Sequence, residues 1–80
     1  MPQNNLPTYA IVELLIRLTQ HNSSVGDYRG HAVNEKDVIV KTSRGSIRFA
    51  QSLIVQQFES PELITEDDLL RAALSFRAVN

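Results

Sequence analysis

The chain reads as a small α+β domain: a three-stranded antiparallel β-meander with an N-terminal and a C-terminal helix packed on one face, in the order α-β-β-β-(α)-α. Three observations predict it. Apolar residues recur at helical spacing from Pro7 to about His21, three strand-like runs separated by short turns occupy Tyr28 to Ala50, and a helix-capping sequence opens at Thr65.

Met1 to Asn5 is polar and carries Pro2, so residues 1–6 are expected to fray. In the first helix Ile11, Leu14, Leu15 and Leu18 share a face that Val12 and Ile16 widen, while Glu13 and Arg17, four apart, mark the wet side. Pro7 suits the first turn, where its missing N–H costs nothing, and Thr8 is an alternative N-cap. His21-Asn22-Ser23-Ser24 ends the periodicity and Gly26-Asp27 adds a turn. Tyr28 to Val33 follows as a strand, interrupted at Gly30, where a bulge or close backbone approach is expected.

Asn34 to Asp37 is a connection of hairpin length. Asp37 to Ala50 then forms the clearest local unit. Val38, Ile39 and Val40 are β-branched, Ser43-Arg44-Gly45-Ser46 supplies a turn, and Ile47-Arg48-Phe49 alternates apolar residues about a charge. Gln51 to Phe58 fits either a buried strand or two helical turns, and the reading leans to a short helix capped by Ser52. Ser60-Pro61 offers a helix start. A stronger one lies just beyond, where Thr65 and Asp68 form a variant capping box and Ile64 and Leu69 take the staple positions. Glu66, Asp67 and Asp68 stand at the positive end of that helix dipole, and the helix is expected to run to about Arg77.

Composition narrows the function classes. Eighty residues make a single domain, 1–80, with no room for a separate catalytic one. At 42% hydrophobic and 21% charged the chain resembles ordinary folded proteins, and without cysteine it has neither disulfides nor thiolate chemistry. The apolar run from Ala10 to Leu18 is too short to span a bilayer and has no basic segment before it, so a cytoplasmic location is expected. The net charge of −1 is unevenly spread: Tyr28 to Arg48 carries +3 and Phe49 to Asn80 carries −3.

Four groups of side chains invite a chemical reading. Arg29, Lys36, Lys41, Arg44 and Arg48 make a basic strip that can meet phosphates, along a groove or on RNA, or simply solvate a sheet face or edge, and Glu35 and Asp37 lie within it. Glu59, Glu62, Glu66, Asp67 and Asp68 lack the spacing of a calcium loop, and capping explains the last three. His21 and His31 stand ten residues apart without a zinc-motif glutamate, so no metal site is expected. No serine lies in a nucleophile-elbow pattern, and the glycines are too scattered to cradle phosphate. No catalytic residue, cofactor or metal is therefore assigned.

The order helix, three strands, helix resembles that of double-stranded RNA-binding domains. The resemblance is one of element order, and where that family has a lysine-rich start to its last helix this chain has Glu66-Asp67-Asp68, so its RNA contacts are not carried over.

The expected function is a small non-enzymatic protein-interaction module, an accessory or regulatory (inhibitor-type) protein, acting through a sheet face or edge and homodimeric. Its candidate partner-binding residues are Arg29, Val38, Val40, Lys41, Arg44 and Arg48. The alternative is nucleic-acid binding through Lys41, Arg44 and Arg48.

Overall fold

The computed structural model describes residues 7–78, so the expected fraying of residues 1–6 lies outside it. It has three helices and one antiparallel sheet: α1 (Thr8–His21), β1 (Tyr28–Val33), β2 (Asp37–Thr42), β3 (Gly45–Ala50), α2 (Gln51–Glu59), a 3-10 turn (Pro61–Leu63), α3 (Glu66–Ala73) and β4 (Arg77–Ala78). The α+β class and the element order follow the sequence reading, with one correction. The sheet has four strands, in the order β1-β2-β3-β4, where three were expected.

The extra strand comes from the residues expected to end the last helix. α3 stops at Ala73, and Phe76 turns inward to pack against the core. Ser75 sets the stop. Its hydroxyl lies 2.8 Å from the Ala72 carbonyl and 2.9 Å from that of Arg48, and it accepts the Arg48 N–H at 3.3 Å. The side chain thus competes with the helix for backbone partners and fastens the chain to β3. Gly45 permits the approach that follows, because a Cβ there would meet the Arg77 carbonyl oxygen at 2.1 Å.

One hydrophobic cluster fills the space between helices and sheet. Ala10, Ile11, Leu14, Leu15 and Leu18 of α1 meet Val38, Val40, Ile47 and Phe49 of the hairpin, with Val25, Ile54, Ile64 and Leu69 closing the sides. α2 and α3 both pack on α1, so the helices form one layer over one sheet face. The wide stripe of α1 is what lets a single helix touch all of them.

Several caps differ from expectation. Pro7 is itself the N-cap of α1, and neither Thr8 nor Ser52 caps a helix: α2 begins at Gln51 after Ala50, which has no side chain to offer. Backbone pairing replaces the Ser52 cap, with Gln51 N–H donating to Lys36 O at 2.9 Å and the Gln51 amide reaching Asn34 O. The capping box is as read: Asp68 N–H donates to the Thr65 hydroxyl at 3.1 Å and Thr65 N–H to the Asp68 carboxylate at 3.0 Å. Arg17 is not on the wet side beside Glu13. Its guanidinium donates to Gln57 Oε1 at 2.8 Å, Pro61 O at 3.1 Å and Ile64 O at 3.3 Å, and so ties α1 to the irregular chain between α2 and α3. Five fixed donors make arginine suited to satisfying several carbonyls at once.

The hairpin tip is held just as firmly. Thr42 is buried, and its hydroxyl accepts the N–H groups of Arg44 and Gly45 while donating toward Val25 O. Ser43 and Asp27 exchange two bonds, of 2.8 and 3.0 Å. Gly26, at φ 91°, brings the loop in: a Cβ there would lie 2.6 Å from Ser43 Oγ.

Candidate functional site

Alternation along the strands separates two sets of side chains. Val38, Val40 and Thr42 of β2 and Gly45, Ile47 and Phe49 of β3 face the helices; Asp37, Ile39, Lys41, Ser46, Arg48 and Ala50 face the other way. Among the described residues no helix covers that outer face.

Register builds the face row by row. Gly30, Lys41, Ser46 and Arg77 form one row across all four strands, and Ala32, Ile39 and Arg48 form the next. Lys41 and Arg77 flank Ser46 at two strand spacings, about 10 Å. Arg48 Nε lies 3.8 Å from the Asp37 carboxylate, a solvent-exposed pair that contributes at most about 1 kcal/mol. Lys41 and Arg77 have no ion-pair partner among the described residues. Beside them Leu74, 85% exposed, joins Ile39, Ser46, Arg48, Phe76 and Arg77 around an open depression of about 510 Å³. The depression is shallow and its lining is mixed: Ile39, Leu74 and Phe76 stand beside the polar Ser46, Ser75, Arg48 and Arg77, with Lys41 and Asp37 farther out on the same face.

The expected partner-binding residues separate on this frame. Lys41 and Arg48 stand on the outer face, Arg44 is exposed at the hairpin tip, and Arg29 is exposed at a bulge where β1 holds one residue more than β2. Val38 and Val40 are corrected: both are fully buried against the helices and cannot meet a partner. Three consecutive β-branched residues do straddle both faces, but only Ile39 has the outward parity. Sequence reasoning missed Ile39, Leu74 and Arg77. The alternation carried the signal for Ile39, whereas Arg77 reaches the face only through its pairing with Ser46.

The remaining candidates are spread apart. The Asp67 carboxylate accepts from Arg71 at 2.8 Å, Glu66 approaches His21 Nδ1 at 3.7 Å, and Asp68 closes the capping box. The two bonds with Thr65, backbone first, hold the Asp68 carboxyl below its ordinary value of 3.8, with Arg71 adding to the effect. His31 Nδ1 lies 2.8 Å from the Tyr28 hydroxyl. Among the described residues no three histidine, cysteine or carboxylate side chains gather as a metal site, and no helix is long and apolar enough to cross a membrane. No protein-family model, curated protein or solved structure matches the chain.

Proposed function

We propose that the chain is a non-enzymatic protein-interaction module of the cytoplasm, an accessory or regulatory protein whose outer sheet face receives an acidic, partly apolar segment of a partner protein. The observation that carries this reading is the uncovered face itself, where Ile39 and Leu74 lie among Lys41, Arg48 and Arg77 with Asp37 as the one carboxylate. Apolar side chains interspersed with charged and polar ones match the mixed character of a non-obligate protein contact, and excess positive charge selects for carboxylates. A nucleic acid is less well served. Tyr28 and Phe49 face the helical side and Phe76, at the edge of the depression, is half-buried against the core, so among the described residues the outer face holds no fully exposed aromatic ring on which bases can stack in succession.

The test compares wild-type, Ile39→Ser and Arg48→Glu proteins as baits, then titrates the recovered partner by calorimetry. Both positions are solvent-accessible, so circular dichroism is expected to stay unchanged while each substitution weakens binding by about tenfold or more, as central contact residues do. A partner whose affinity ignores both substitutions would overturn the reading. So would tight binding to RNA or DNA that falls steeply with salt and depends on Arg48 but not on Ile39.

A further inference from the structure

The two margins of the sheet are finished differently. Beyond β3, Ser75 bonds the Arg48 backbone and β4 covers Gly45 and Ser46, leaving at the margin a strand of only two residues. At the other margin β1 runs for six residues, and among the described residues nothing pairs with its outer edge. Asn34 N–H donates to Asp37 O at 2.8 Å, so the antiparallel alternation turns Ala32 and Gly30 toward β2 and points the backbone groups of His31 and Val33 outward. From His31 to Val33 the edge has no lysine, proline or bulge, the devices that ordinarily keep a free edge from pairing. An apolar groove of about 430 Å³ between Val12, Leu15, Ile16 and Tyr28 follows the same margin, with Ile16 54% exposed.

We propose that β1 is a subunit contact: two copies of this chain pair β1 with β1, antiparallel, around a twofold axis at Ala32, joining two four-stranded sheets into one of eight. A second copy is the occupant that the charges select. With the axis at Ala32, His31 of each copy pairs with Val33 of the other, so every outward backbone group in that stretch is used, and the bulged Arg29 at one end of the ladder is brought to the same end as Glu35 in the other copy's β1–β2 turn. Both are exposed, and neither makes an ion pair within the chain among the described residues. The twofold repeats the pair, as an isologous contact must. An axis at His31 instead would set Arg29 against Val33. The chosen register also carries the second copy's Val33 toward the groove beside Tyr28. This contact is separate from the outer sheet face and leaves it open.

Sedimentation equilibrium from about 1 to 100 µM tests the proposal, a range that brackets micromolar association. Wild-type protein is expected to dimerise. Arg29→Glu and Glu35→Arg, each placing like charges at two symmetry-related positions, weaken the dimer by about tenfold or more. An equimolar mixture of the two variants, and the double variant alone, return to wild-type affinity because each restores opposite charges. A wild-type chain that stays monomeric throughout, a dimer indifferent to both reversals, or a mixture no tighter than its components would each overturn it.

Discussion

Replacing Thr42 by valine tests whether the hairpin tip is held by one hydroxyl. The side chain keeps its shape and loses its oxygen. Arg44 N–H and Gly45 N–H, which donate at 3.1 and 3.0 Å, lose their acceptor, and Val25 O loses its donor. Gly45 and Val25 are buried, and each stranded group there costs about 1–1.5 kcal/mol, while Arg44 N–H turns to water. The new methyl recovers less than about 1 kcal/mol, leaving a net loss of about 2 kcal/mol. With a urea slope of about 1 kcal/mol per molar for so small a chain, the midpoint is expected to fall by about 2 M at constant slope. Thr42→Ser keeps the hydroxyl and gives up only a methyl, so its loss stays near about 1 kcal/mol. A valine variant within about 0.5 kcal/mol of wild type, or no worse than the serine variant, would refute the hydroxyl as the anchor.

Two further substitutions probe the last helix and strand. Gly45→Ala introduces a Cβ 2.1 Å from Arg77 O and 2.8 Å from Ala78 Cα, on a backbone without positive φ, so the collision falls on β4 alone. Amide exchange is expected to quicken at residues 75–78 and hold steady in β1–β3, the loss of about 1–2 kcal/mol falling on the local opening of β4; uniform quickening would contradict a separable β4. Asp68→Ala addresses pH. Because the folded carboxyl titrates below its ordinary value of 3.8, its stabilisation is complete above that value and fades as pH falls through the lowered one. Thermal melts should therefore show a deficit for the variant at about pH 7 that persists to the ordinary value of 3.8 and narrows only below it, and a constant deficit at all pH would mean that the carboxylate charge is not the cause.

The elements whose chemistry is local were legible in the sequence. Thr65 and Asp68 announce their helix because both partners of the capping box lie within four residues, and Val38 to Phe49 announces its hairpin through alternation and a turn. What failed depended on distance along the chain. Arg17 reads as a solvated partner of Glu13 until Gln57, Pro61 and Ile64 are brought beside it. Phe76 and Arg77 continue a helical pattern until Gly45 offers a strand to lie on. The candidate site divides the same way: Lys41 and Arg48 were found from their hairpin, Val38 and Val40 were misassigned because the sequence does not say which parity the helices will cover, and Leu74 and Arg77 needed the closed sheet.

The interleaving of the hairpin's two sets of side chains governs which genetic changes it can absorb. Ile39, Lys41, Ser46 and Arg48 can be exchanged for other solvent-compatible residues with little effect on folding, since none supports the interior, and such changes combine additively with repacking of Val38, Val40, Ile47 and Phe49 when they are not in contact. A gain or loss of one residue inside either strand is another matter. It shifts the parity of everything beyond it, turning arginine and lysine inward and valine and phenylalanine outward. Point substitution can therefore redirect what this surface recognises across a lineage or a library, while single-residue insertions and deletions in β2 and β3 are expected to be purged.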